Sequence, residues 1–146
     1  MKNKEVNKLN FEIMPNLGAG PILFGMEEQE IHKILGNQFE KIKKSMSDGI
    51  ETDMYEWCFI YYKKPGVCQA IEFFEPAVPL LNGEKLFGRP YSEVKEILIK
   101  LDDQVQLDED GLTSYKLGIG IYAPSSGSNS AAPIEGVIIF GNGYYD

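Results

Sequence analysis

The chain is partly duplicated. Residues 23–35, from Leu23-Phe24-Gly25-Met26 to Ile34-Leu35, lie without a gap over residues 86–98, from Leu86-Phe87-Gly88-Arg89 to Ile97-Leu98. The offset is 63, six of the thirteen positions are identical, and Ile31 faces Val94. Ordinary residue frequencies give about one identity over such a span, so self-similarity is the strongest constraint on the fold. Further on, Ala70-Ile71-Glu72-Phe73-Phe74 lies over Gly136-Val137-Ile138-Ile139-Phe140 at an offset of 66.

Periodicity gives each copy a plan. Ile31, Ile34 and Leu35 recur at helical spacing, Glu27, Glu28 and Glu30 suit the positive end of a helix dipole, and Gly36 stops the helix. In the second copy Pro90 stands at a helix start, and Tyr91, Val94, Ile97, Leu98 and Leu101 form the apolar stripe. Gly25 and Gly88 precede the helices as turn residues. Aromatic and β-branched runs then predict strands over Phe39–Lys43, Tyr55–Tyr62 and Val67–Glu75, and again over Gln104–Leu107, Ser114–Tyr122 and Ile134–Phe140. Asp48-Gly49 and Asp110-Gly111 read as turns, and Ser125–Pro133 as a polar, mobile loop. The predicted class is α+β: one domain over residues 1–146 with two pseudo-repeats, approximately 10–75 and 76–146. Each repeat is one short helix followed by a mostly antiparallel β-meander, with the helices packed on one face of the sheet.

Composition narrows the role. Twenty-two acidic against fourteen basic residues leave a formal charge of −8, where a general nucleic-acid binder needs a basic stripe. No run of eighteen apolar residues suggests a membrane span, and no apolar stretch follows the basic N-terminus as a secretory signal would, so the expected compartment is cytoplasmic. Lys63-Lys64-Pro65-Gly66 reads as a hairpin turn. With Lys63 facing Gly66, Cys68 lies opposite Tyr61 and Cys58 opposite Ile71, on different sheet faces; a one-residue slip would put both on one face, still too far apart to bridge. Neither register allows a disulfide.

Signatures of catalysis and cofactor binding fail in turn. The sole histidine, His32, falls on the first helix as a solvated face residue, and one His with two such Cys cannot make a Cys/His zinc site. No Gly-x-Ser-x-Gly elbow presents a serine. Gly18-Ala19-Gly20-Pro21 has the wrong spacing for a phosphate loop and reads as a turn between Phe11–Met14 and Ile22–Phe24. Asp108-Glu109-Asp110-Gly111 fails as a calcium loop, because Gln106 and Leu117 fall where ligands belong. No cofactor and no metal is predicted. Glu56 and Glu72 interrupt aromatic strands, and the hairpin register puts Glu72 on a face with Tyr55, Trp57, Phe59, Tyr61 and Phe74. Glu72 then either points into an aromatic-lined concavity or faces water. Trp57 and Phe59 read as core beneath the helices, while Tyr55, Tyr61 and Tyr62, and Tyr144-Tyr145-Asp146, are expected to be partly exposed.

The pattern Leu23-Phe24-Gly25-Met26, an acidic helix start, Ile31 and Leu35-Gly36 resembles the repeat signature of the BamE/BLIP-like fold. That fold covers small outer-membrane assembly lipoproteins and, in tandem, beta-lactamase inhibitory proteins; similar helix-plus-sheet proteins occur among bacterial immunity proteins. The resemblance implies a non-catalytic protein-binding domain, an immunity protein neutralising a bacterial toxin, and the negative charge suits a basic toxin. The expected contact residues are Tyr55, Tyr61, Glu72, Asp102, Asp103, Asp108, Glu109 and Asp110. Two alternatives are a small-ligand or hydrolytic enzyme with a pocket around Glu72, and an assembly module whose role the fold alone does not define.

Overall fold

A computed structural model describes residues 10–43, 50–141 and 143–144. The fold-class expectation is overturned. The chain is mostly β, with thirteen strands in sheets of five and eight strands and only two short helices, and it is not a helix-plus-meander repeat on one sheet. The segments preceding each helix build a second sheet that periodicity did not reveal. It comprises β1 (Asn10–Met14), β2 (Gly18–Ala19), β3 (Ile22–Leu23), β8 (Val78–Leu81) and β9 (Glu84–Lys85), in the order β3-β2-β1-β8-β9. Three of these strands are two residues long, too short for any alternation to register. β1 and β8 pair in parallel, Phe11 opposite Pro79.

The large sheet contains β4 (Glu40–Lys43), β5 (Glu51–Met54), β6 (Cys58–Lys63), β7 (Val67–Phe73), β10 (Gln106–Asp108), β11 (Gly111–Ser114), β12 (Ile119–Tyr122) and β13 (Gly136–Phe140). Its order is β10-β11-β12-β13-β7-β6-β5-β4, antiparallel throughout, so β7 and β13 lie at its centre. The strand expected over Ser114–Tyr122 is two strands separated by a turn at 115–118, and that expected over Tyr55–Tyr62 begins only at Cys58. At the start of β11 a Cβ on Gly111 would collide with the carbonyl oxygen of Ile121, and φ is +146°, so only glycine lets these strands approach. The Asp48-Gly49 turn lies outside the described residues, as do Tyr145 and Asp146.

The helices form where expected, α1 over Glu28–Leu35 and α2 over Tyr91–Leu101. Glu30 Oε1 accepts the Glu27 N–H at 3.4 Å, closing the start of α1, and Gly36 ends it with φ 93°. The N–H groups of Tyr91 and Ser92 donate to the carbonyls of Ala132 and Ser130, so the polar loop expected to be mobile instead satisfies the first turn of α2. Ile31 on α1 and Tyr91, Val94 and Leu98 on α2 join one apolar cluster with Phe11 and Ile22 of the small sheet and Ile60, Ile71, Phe73 and Ile119 of the large one.

The hairpin register also differs from expectation. Lys63 faces Val67, Tyr62 faces Cys68, and a bulge then brings Tyr61 opposite Ala70 and Cys58 opposite Phe73. Both cysteines therefore belong to the same core cluster, and both are free thiols. Burial pushes the Cys68 thiol up to about 12 and the Cys58 thiol higher still, so neither supplies a thiolate near neutral pH.

Candidate functional site

Two places gather polar side chains with reactive or contact potential. The first centres on Asp53, which β5 turns inward to complete burial, opposite Ile60 of β6. A buried carboxylate needs donors on both oxygens, and three neighbouring elements supply them. Lys41 Nζ of β4 donates to Oδ1 at 2.6 Å, while Tyr62 OH of β6 and His32 Nε2 of α1 meet Oδ2 at 2.6 and 2.7 Å. Lys41 also bonds Glu28, one turn before His32 on α1. The His32 ring stacks on Phe39 with centroids 4.3 Å apart, so this residue is not the solvated helix-face group the sequence suggested.

The electrostatics of this cluster are closed. Burial works against the Lys41 charge, but its hydrogen bonds to Asp53 and Glu28 outweigh it and raise the ammonium above its ordinary value. Burial first, and then the bond to Asp53, drives the Tyr62 phenol far upward, which makes it a donor rather than a base. Glu28, His32 and Asp53 offer ligand atoms within 4.8 Å of one another, one imidazole and two carboxylates of the kind a zinc-class ion accepts. Lys41 already bonds both carboxylates, so an ammonium fills the cationic place and these residues could hold a metal only with Lys41 withdrawn. Sequence reasoning did not single out Asp53, Lys41 or Tyr62 as partners; an aspartate inside a strand was the one available signal, because strands disfavour it.

The second place is the outer face of the large sheet. Direct partners form one transverse row across all eight strands: Glu40, Met54, Phe59, Glu72, Ile138, Gly120, Thr113 and Gln106. Tyr61, Ala70 and Phe140 make a separate apolar cluster here, with Phe59, Ile138 and Tyr144 packed against it. Neither helix nor the small sheet contributes to that cluster. Glu72 lies among these rings with Tyr61 OH donating to its Oε1 at 2.6 Å, while Phe59 and Phe74 meet edge to face. Compared with family models, curated proteins and solved structures, the chain matches none.

The expected contact residues are dispersed by the fold. Glu72 shares its face with Phe59 and Tyr61 as expected, but Tyr55 and Trp57 pack with the inner core. The reason is that 55–57 leave the strand between β5 and β6, which breaks the alternation. Tyr55, Tyr61 and Tyr62 are buried rather than partly exposed, and Tyr55 OH donates to the Gly36 carbonyl at 2.7 Å. Asp108 and Asp110 line a hollow of about 120 Å³ together with Glu72, Thr113, Tyr122 and Ile138. Glu109 is exposed on the intervening turn, and Asp103 borders a different depression with Gln104, Gln106 and Lys116. A larger open concavity of about 590 Å³ lies beside the far edge, bordered by Phe39, Glu40, Met54, Tyr55, Glu56 and Phe59.

Asp102 is placed differently from the other acidic residues. It is buried at the end of α2, where Oδ1 accepts the Gln104 N–H at 2.9 Å and Oδ2 the Ser114 hydroxyl at 2.8 Å. These bonds, the backbone one foremost, hold its carboxyl below the model value of 3.8. A folded-state value below the unfolded one stabilises the protein above the ordinary carboxylate range, and that contribution is lost as pH falls through the depressed value. Asp102→Asn is therefore expected to lower the urea midpoint at pH 7, with the gap from the parent narrowing once both are measured near pH 3. An equal gap at the two pH values would show that ionisation of Asp102 does not contribute.

Proposed function

We propose that this chain is a non-catalytic protein-binding domain that neutralises a bacterial toxin by direct binding in the cytoplasm. The observation carrying this reading is the outer face of the large sheet, where aromatic side chains surround carboxylates and no helix packs onto the aromatic cluster. Aromatic groups on a rigid sheet give large contact area at small entropic cost, and a formal charge of −8 steers a basic partner. The hollow at Glu72, about 120 Å³, is small beside the roughly 300–1,000 Å³ of usual small-molecule sites, which favours a protein partner over a substrate. Among the described residues no helix is long and apolar enough to cross a membrane.

The test is co-purification with the toxic protein encoded beside this chain in its genome, followed by calorimetry and a growth-rescue assay. A 1:1 complex that restores growth is the expected result; toxicity undiminished by co-expression would refute the reading. If the partner is basic, the association rate is expected to fall about tenfold or more between 0.05 and 0.5 M salt, roughly, as screening shortens the reach of the charges. A flat dependence in stopped-flow would remove the electrostatic part.

A further inference from the structure

The outer face carries a detail that bears on what docks there, and it rests on the partner-binding reading above. Asp108, Gly111, Tyr122 and Gly136 are successive direct partners across β10 to β13, so two of the four positions in that row have no side chain. At Gly136 the space is real. A Cβ there would stand 3.6 Å from Tyr122 Cβ and 3.7 Å from both Glu72 Oε2 and Phe74 Cε1, ordinary contacts with nothing in the way. The Tyr61 hydroxyl engages the other oxygen of Glu72 and fixes the carboxylate against this gap. Asp108 and Asp110 border the same hollow, and among the described residues neither this hollow nor the 590 Å³ concavity on the far edge is lined by a lysine or arginine.

We infer that the outer face docks a basic protein surface and that the glycine-floored hollow over Gly136 receives one arginine side chain from it. Charge complementarity selects the occupant: three carboxylates border a space lacking a basic neighbour, within a chain of net charge −8. The ring-bearing walls select arginine over lysine, because a guanidinium both forks onto a carboxylate and stacks on an aromatic face, whereas an ammonium is a compact, strongly hydrated point charge. At about 120 Å³ the hollow accommodates one side chain end and not a folded element.

The probe is an acetylated hexa-arginine amide titrated into the full-length, nitrogen-15-labelled protein at low salt, with hexa-lysine as the second arm. Expected are saturable amide shifts centred on Gly136, Tyr122 and Glu72, and arginine binding about threefold tighter than lysine. Gly136→Leu, which fills the floor, and Asp110→Asn are each expected to weaken the arginine peptide, by about tenfold and about threefold respectively. Both variants are checked for an unchanged melting transition, and Asp110→Asn serves if the leucine variant does not fold. Shifts spread evenly over the acidic surface, or arginine binding unaltered in both variants, would overturn the socket. A toxin complex undiminished by Gly136→Leu would likewise overturn the socket while leaving neutralisation intact, whereas peptide binding at Gly136 without any toxin complex would keep the socket and remove neutralisation.

Discussion

Asp53→Ala is expected to destabilise the protein by about 3–5 kcal/mol, the cost of leaving the partners of a buried charge without their counterpart. The magnitude follows from burial. Asp53 is 0% exposed and is met by Lys41, Tyr62 and His32, so its removal strips three donors of one acceptor group at once. Lys41 keeps Glu28, which places the loss toward the lower end of that range. Glu28→Gln supplies the contrast: its side chain is 36% exposed and its pair with Lys41 lies near solvent, so the expected loss is below about 1 kcal/mol. Denaturant midpoints for the two variants decide the matter, and equal small losses would mean that the cluster is not held out of water.

Phe11→Ala is expected to cost about 3–5 kcal/mol, and about 10 °C in melting temperature at roughly 2–4 °C per kcal/mol for a chain of this size. Phe11 is 1% exposed and projects from the small sheet onto the large one, with ring centroids 5.1 Å from Phe73 and 5.4 Å from Trp57. The cavity would open where the two sheets meet, a place that cannot close by moving a single side chain. Trp57 is the only tryptophan, so its emission reports the same contact. A variant with parental midpoint and spectrum would refute the role assigned to this pair.

Much of this was legible where local chemistry decides and little where distant segments meet. The ends of α1 and α2 were readable because Gly36 and Pro90 act on their own backbone. The company of Glu72 with Phe59 and Tyr61 was readable because alternation survives along β6 and β7 even though the register differs. Tyr55 and Trp57 were misplaced because residues 55–57 are not strand, and alternation has no meaning across such a break. The Asp53 cluster draws on residues 28, 32, 41, 53 and 62, from four elements, and no spacing marks a convergence of that kind. The hollow over Gly136 was hidden for a related reason: a glycine within a strand signals a close approach or a missing wall, and only the neighbours at Tyr122, Phe74 and Glu72 say which.

The parallel pairing of β1 with β8 and the seam between β7 and β13 stitch the early and late parts of the polypeptide together in both sheets. Severing the chain near residue 76 would strand β1 without its neighbour and bare the central strand β7 along its whole length, turning an interior position into a sticky, aggregation-prone border. Neither fragment is then an independent folding unit, and a search for the minimal active piece should trim from the ends rather than cut through the middle.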